Sequence, residues 1–429
     1  MKIKSLYVNK YKALKEFEIN FNEDVSVIIG ENGTGKTSIL ELIYNTFIEN
    51  ETFFKDEQDF SKSIIKIKFT EDEIKELNGL KQEGKRNKIF SFEVNKGSNN
   101  EFDFTGIPNL KIMSSKRIHS SIVYSKAEVN YKNQKIEAPM KPNDFKEFAT
   151  IIGQDENNKL SLKQYIINEH YKDLEDLSVG DKPFRIDRFR KLYNSFFEEK
   201  EFIGVKDFEP VFKVKSNGEV HSADQLSAGE KQIFFRGGAL LQLNLENSII
   251  LIDEPELSLH PEWQQKILDF YRNIGNNNQI IIATHSPHIV SSCKKEEIRV
   301  LIKEDGRVKV EENIEETYGW TVEQLLLSVF QLESIRNPEV QKILDRFKAL
   351  YVNNSNLNAK EQVEMNLLRK ELEKYLDPED PALSLVNLDE NSNKLEAIIN
   401  QLKTNKNKNE IAIENNIDKY DKNRRNGNA

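Results

Sequence analysis

The chain has 429 residues, of which 38% are hydrophobic and 31% charged, and its formal charge is −9. This length allows two or three compact units. The negative charge argues against a protein that coats nucleic acid through its overall electrostatic field, although a local basic face remains possible. A single cysteine, Cys293, excludes an internal disulfide framework and a multi-cysteine metal cage. The sequence has neither a signal-like start nor the run of about 18 apolar residues that a membrane helix needs. We therefore expect a cytoplasmic protein that makes no membrane contact.

A glycine-rich loop lies between a predicted strand and a predicted helix near the start of the chain. Residues 2–29 have strand character, and their last part, VSVII (25–29), is the kind of β-branched run that is buried on both faces of a parallel sheet. The text ILELIYNTF (39–47) then shows apolar residues at helical spacing. This strand, loop and helix context separates a genuine phosphate-binding loop from a chance match.

The loop itself, Gly30 to Thr37, matches G-x-x-x-x-G-K-[ST] in full. Its glycines allow backbone N–H groups to turn toward a phosphate, and the helix that follows offers its positive end to the same anion. Lys36 is expected to reach the β- and γ-phosphates of ATP, and the Thr37 hydroxyl to take a position on Mg²⁺. The predicted nucleotide contacts in this loop are Gly30, Asn32, Gly33, Thr34, Gly35, Lys36, Thr37 and Ser38.

Two further buried strands end in polar residues. SIILIDE (248–254) ends in two carboxylates at the predicted edge of the sheet beside the loop. We expect Asp253 to hold Mg²⁺ and Glu254 to orient the water that attacks the γ-phosphate. One strand and helix further on, IIIATHSP (280–287) places His285 where it can contact the γ-phosphate.

A short Ser/Gly segment, LSAGEKQ (226–232), precedes another helical run. The start of a helix is an anion site by the same dipole argument, which makes Ser227 and Gly229 candidates for a phosphate contact. Taken in isolation, the segment is better explained as a plain helix cap at Ser227.

In their chain order these four sites resemble those of the ATP-binding-cassette (ABC) ATPases. LSAGEKQ is similar to their signature motif, Asp253 and Glu254 to their Walker B pair, His285 to their switch histidine, and ELSLHP (256–261) to their D-loop. The resemblance implies a dimer, or a higher even oligomer, in which two subunits meet head to tail. Ser227 and Gly229 of one subunit would then close over the γ-phosphate held by Lys36 of the other.

Within that class, the wording of EPELSLHP and ATHSPHIV resembles the OLD/RecF-like bacterial ATPases. The closer likeness is to the stand-alone ATPases of anti-phage defence operons, the Septu (PtuA) type and its retron-associated relatives. OLD-type proteins add a Toprim nuclease with an Asp-x-Asp pair on a strand, and we find no such pair after residue 300, so any nuclease is expected as a separate chain. A glutamine loop is also missing after IVYSKAEV (122–129), and that ligand stays unassigned.

The expected fold is therefore α/β, a P-loop NTPase of the ABC type with an inserted α+β and helical region and a helical C-terminal extension. We place the ATPase core in residues 1–50 and 205–310, the insertion in 51–204 and the helical extension in 311–403. The tail, 404–429, is rich in Asn and Lys and is expected to be disordered. Two basic stretches, 111–141 and 185–191, are more simply explained as solvated surface than as a DNA site.

The function predicted from these features is a Mg²⁺-dependent ATPase that gates a separately encoded effector nuclease in defence against phage. The alternative is a RecF-like ATPase of DNA repair or recombination, in which the basic stretches contact DNA. A transporter motor is disfavoured because such a cassette is shorter and carries a Gly-Gly-Gln signature, which this chain lacks.

Overall fold

The structure is a computed structural model. It describes residues 1–57, 59–70, 73, 89–97, 101–105, 121–127, 149–152, 162–178, 180, 184–311, 314–352 and 357–386. The expected tail at 404–429 and most of the basic stretch at 111–141 lie outside these residues.

A seven-stranded, largely parallel sheet forms the centre of the fold. Its strands are β3 (Val25–Gly30), β7 (Ile122–Ser125), β8 (Ala149–Ile152), β12 (Ile249–Asp253), β13 (Gln279–Ala283), β14 (Ile298–Glu304) and β15 (Arg307–Val310). Their order across the sheet is β15-β14-β3-β13-β12-β7-β8, and β15 alone pairs in the antiparallel sense. Because β3, β12 and β13 run the same way as neighbours, their carboxyl ends meet at one edge, as predicted.

Two antiparallel sheets flank this centre. One has the order β2-β1-β4-β5-β6, and the other has the order β11-β10-β9. Their strands are β1 (Lys2–Tyr11), β2 (Leu14–Asn20), β4 (Lys62–Lys68), β5 (Ile89–Lys96), β6 (Phe102–Thr105), β9 (Lys200–Lys206), β10 (Glu209–Val214) and β11 (Val220–Ser222). The first sheet combines strands from both sides of the boundary expected at residue 50, because β1 pairs with β4 along most of its length.

The helices of the described residues connect these strands and form the C-terminal part. They are α1 (Lys36–Phe47), α2 (Glu51–Asp56), α3 (Leu162–Ser178), α4 (Arg185–Phe196), α5 (Ala228–Gln242), α6 (Pro261–Arg272), α7 (Pro287–Val290), α8 (Val322–Ser328), α9 (Pro338–Val352), α10 (Ala359–Tyr375) and α11 (Pro381–Val386). No helix in the described part of the chain is both long and apolar enough to cross a membrane.

The two faces of the central sheet carry separate cores because side chains alternate along a strand. Ile250 and Ile252 of β12 join the core that contains α4, α5 and α6, whereas Ile249 and Leu251 join the core beneath α1 and the five-stranded sheet. Strand β12 is thus covered on both faces, which explains why its sequence is an unbroken apolar run.

The chain forms two compact units, Met1–Leu332 and Glu333–Ala429. The first ends later than the boundary expected at residue 310, because Leu325 and Val329 of the segment after β15 are buried in the core around α5 and α6. The second unit has a core of its own, with Phe347 and Leu372 fully buried.

Candidate functional site

The loop after β3 is shaped by glycine. Gly33 and Gly35 have φ values of 74° and 92°, in the left-handed region that side-chain-bearing residues rarely adopt, and α1 begins directly afterwards at Lys36. The Lys36 ammonium donates hydrogen bonds to the carbonyls of Gly30 at 2.8 Å and Glu31 at 3.0 Å. The loop therefore wraps around a buried lysine. Burial lowers the pKa of Lys36 to about 8, because its effect is larger than that of the nearby carboxylates, which raise the pKa.

Thr37 and Asp253 meet across the edge of the sheet. The Thr37 hydroxyl donates to Oδ1 of Asp253 at 3.1 Å. Two ligands at right angles on Mg²⁺, each about 2.1 Å from the ion, lie about 3 Å apart, so this hydroxyl and carboxylate fit two adjacent positions of one octahedral ion. Burial raises the pKa of Asp253 to about 6.

Glu254 follows in a strained backbone conformation. Its φ is 42°, which is uncommon for a residue with a side chain, and its N–H donates to the carbonyl of Ala283 at 2.9 Å. Strain of this kind persists where the surroundings impose it and is frequent at functional sites. Here it turns the chain sharply at the end of β12, so that Glu254 lies within the electrostatic reach of Lys36 and His285.

The loop that carries His285 is anchored by a carboxylate that sequence reasoning left without a role. Oε1 of Glu256 accepts a hydrogen bond of 2.6 Å from the backbone N–H of His285, and Oε2 is buried without a partner among the described residues. Next to it, Oε1 of Gln264 accepts from the Ser286 hydroxyl at 2.6 Å. The loops after β12 and β13 are thereby joined through side chains, and Glu256 acts as a positioning residue for His285.

Replacing Glu256 tests that role. We expect Glu256→Ala to lower kcat for ATP about 10- to 100-fold with little change in KM, because the anchor of the His285 loop is lost while the phosphate loop is untouched. Glu256→Gln keeps an acceptor oxygen and should stay closer to the wild type. Steady-state ATPase kinetics check this, with the exposed Glu262 replaced by Ala as the matched control. A Glu256→Ala enzyme with normal kcat would contradict the role.

The segment expected to act as a signature lies at the start of α5. Ser227 caps this helix: its hydroxyl accepts from the N–H of Glu230, whose side chain accepts from the N–H of Ser227. A Cβ on Gly229 would lie 2.7 Å from the carbonyl of Ser258, so this glycine permits close contact with the loop that carries Glu256. In the described part of the chain, Ser227 hydrogen-bonds to Glu230, and Gly229 packs against Ser258.

The structure thus brings Lys36, Thr37, Asp253, Glu254 and His285 to one edge of the sheet, while Gly229 packs against the loop after β12. Of the remaining loop residues, Thr34 is buried, Asn32 is exposed and Ser38 lies in the first turn of α1.

Two neighbours were missed besides Glu256. The Tyr124 hydroxyl lies 3.5 Å from Oδ2 of Asp253, and Lys303 donates to the carbonyl of Asn32 at 3.1 Å. Both come from distant parts of the chain, so no local motif marks them.

A parallel sheet whose strands end in a phosphate loop and a pair of carboxylates is the arrangement of a P-loop ATPase. Residues 25–291 match the family described as "AAA domain, putative AbiEii toxin, Type IV TA system", and the chain belongs to that family. The protein is an ATPase, and its family implies that it binds nucleotide.

The chain is also similar to two curated relatives and to one solved structure. The chain is 27% identical to the Septu protein PtuA of Bacillus thuringiensis over 376 residues, covering 81% of this chain and 88% of that protein. It is 24% identical to the Retron Vc95 probable ATPase of Vibrio cholerae serotype O1 biovar El Tor, with 82% and 83% covered. An Smc head bound to the C-winged helix domain of ScpA aligns with a TM-score of 0.49 at 14% identity, covering 72% of this chain and 98% of that one.

Proposed function

We propose that this ATPase depends on Mg²⁺, hydrolyses ATP in a head-to-tail dimer, and gates a separately encoded nuclease in defence against phage. The observation that carries the catalytic part is the pairing of Thr37 with Asp253 beside the buried Lys36. The similarity over most of the chain to Septu PtuA and to a retron ATPase supports the biological part.

In this proposal the residues of the loop have separate tasks. Lys36 exchanges its carbonyl partners for the β- and γ-phosphate oxygens of ATP, and the N–H groups of the loop and of α1 hold the same phosphates. Thr37 and Asp253 hold Mg²⁺, as their spacing fits. When bound, the ion neutralises charge on the phosphate oxygens. Among the described residues no group of three or more His, Cys, Asp or Glu could hold a metal by itself, so the remaining ligands come from phosphate and water.

Glu254 and His285 complete the chemistry. Glu254 accepts a hydrogen bond from the attacking water and aims it at the γ-phosphorus. His285 contacts the γ-phosphate through a hydrogen bond from its imidazole. In the chain itself, burial and the charge of Lys36 lower the pKa of that imidazole.

The proposal of a head-to-tail dimer rests on the position of Ser227 and Gly229 at the start of α5. Ser227 and Gly229 lie at the positive end of α5, a helix of 15 residues whose first N–H groups suit an anion. We infer that a second copy of the chain supplies the phosphate that these groups contact, and that ATP holds the two copies together.

The RecF-like alternative needs a basic face that can meet DNA. The three arginines of the 185–191 stretch have acidic neighbours within the chain: Arg185 pairs with Asp173 and Asp176, Arg190 pairs with Asp187, and Arg188 lies 3.5 Å from Glu169. A phosphate backbone would have to displace these acids, so the described part of the chain favours the solvated-surface interpretation.

A plaque assay in a phage-sensitive host tests the proposed function. The chain is expressed with its neighbouring genes, and the strain is challenged with a panel of phages. We expect the wild type to reduce plaque counts and Lys36→Ala to restore those of the empty strain, because ATP no longer binds. The exposed Lys206 replaced by Ala is the matched control.

The purified chain is then assayed for binding to duplex DNA at two salt concentrations. Equal plaque counts with and without the chain on every phage would contradict the defence role. Strongly salt-dependent DNA binding by the chain alone would support the repair function in its place.

A further inference from the structure

A cavity lies at the edge of the central sheet opposite to the phosphate loop. It has a volume of about 540 Å³, within the range of pockets that hold small organic molecules. It is lined by Arg188, Lys191, Leu192, Ser195, Leu240, Leu241, Asn244, Leu245, Asn273, Gly275 and Asn276. Leu245 precedes β12 and Asn276 precedes β13, so the cavity lies at the edge of the sheet opposite to Asp253 and His285.

The residues that line the cavity favour a negatively charged ligand. They include two cations and no carboxylate, although acids outnumber bases in the chain by 71 to 62. Lys191 is exposed and has no acidic partner among the described residues. Arg188 is held in place by the Tyr165 hydroxyl at 2.6 Å, with Glu169 more distant at 3.5 Å, and its Nε is buried without a partner. The cavity is therefore complementary to an anion.

The other lining residues suit an organic anion with an apolar part. Four leucines supply an apolar wall, and three asparagines supply amide groups that can hydrogen-bond an organic ligand. An inorganic ion would leave the apolar wall unused. The fitting ligand is a small organic anion that carries its charge on an apolar or aromatic body.

The cavity is preformed because its two loops are fastened together. The N–H of Asn276 donates to the carbonyl of Leu245 at 3.2 Å, and the N–H of Asn247 donates to the carbonyl of Asn276 at 3.0 Å. Gly275 has a φ of 68°, and a Cβ there would lie 2.0 Å from the carbonyl of Leu245. This close approach requires glycine and keeps the loops 244–247 and 273–276 in register.

Three elements run from the cavity toward the loops after β12 and β13. Helix α5 begins at the Ser227 cap and ends at the cavity, about 22 Å away for its 15 residues. Strand β12 leads from Leu245 to Asp253, and β13 leads from Asn276 to the loop of His285. We propose that this cavity binds a small organic anion with an apolar body and that its occupation changes the rate of ATP turnover.

The test uses 1-anilinonaphthalene-8-sulfonate (ANS) as the probe and N-phenyl-1-naphthylamine, which has the same rings without the sulfonate, as the uncharged control. Binding is measured by fluorescence on the full chain, with saturating ADP to keep the phosphate loop filled. We expect one ANS per chain, with Lys191→Glu weakening binding about tenfold and Ser195→Trp, which fills the cavity, abolishing it. Lys206→Glu, an exposed charge reversal outside the cavity, is the matched control.

The second arm measures kcat at saturating ATP, where competition at the phosphate loop has no effect. ANS should change kcat at least about twofold in the wild type and leave Ser195→Trp unchanged. Thermal unfolding checks that both variants are folded. Equal ANS binding by Lys191→Glu or Ser195→Trp, binding of the uncharged probe as tight as that of ANS, or an unchanged kcat with ANS bound would each overturn the proposal.

Discussion

Glu254→Gln should reduce ATP hydrolysis by about 10²- to 10⁴-fold while ATP still binds. The substitution keeps the size of the side chain and removes the carboxylate that we propose orients the attacking water. It leaves Lys36, Thr37 and Asp253 in place, so the phosphates and Mg²⁺ keep their ligands. Single-turnover hydrolysis and equilibrium binding of a fluorescent ATP analogue measure the two effects separately.

The neighbouring Asp253 gives the contrast for that experiment. Asp253→Asn should weaken the Mg²⁺ dependence of nucleotide binding, because it removes a metal ligand, whereas Glu254→Gln should leave that dependence unchanged. In a head-to-tail dimer, ATP trapped by Glu254→Gln should also enrich the dimer in size-exclusion chromatography. Normal turnover by Glu254→Gln would show that another group orients the water.

Much of this site follows from the sequence because its chemistry is local. The phosphate loop needs glycines at fixed spacing before a helix, and the Walker B pair needs an apolar strand that ends in carboxylates. Both patterns are complete within fewer than ten residues. The parallel sheet follows from the same runs, since VSVII, IILI and IIIA are strands buried on two faces.

The remaining features depend on contacts between distant segments. Glu256 belongs to the segment that resembles a D-loop, but its role as an anchor appears only when the His285 loop folds against it. Tyr124 reaches Asp253 because β7 lies beside β12, a neighbour relation that no local pattern encodes. The preference of the cavity for anions also depends on distant segments. Its lining comes from α4, from residues 240–245 and from residues 273–276, which are separate in the chain.

The last and most specific prediction concerns the head-to-tail dimer. Ser227→Arg should abolish hydrolysis and spare ATP binding, because a bulky cation at the start of α5 blocks the approach of a second subunit's γ-phosphate. Loss of the helix cap also costs about 1 kcal/mol, so Ser227→Ala serves as the control for the cap alone. We expect Ser227→Ala to stay folded with partial activity. ATPase assays and thermal unfolding of both variants separate the block from the loss of the cap.

Mixing two inactive variants then decides whether Ser227 acts in trans. Lys36→Ala has an intact signature, and Ser227→Arg has an intact phosphate loop. In a head-to-tail dimer of the two, one composite site pairs the intact Lys36 with the intact Ser227. Random exchange makes half of the dimers mixed, with one working site of two, so the mixture should regain up to about a quarter of the wild-type rate. If Ser227 served the phosphate loop of its own chain, every site in the mixture would stay defective, and no activity would return.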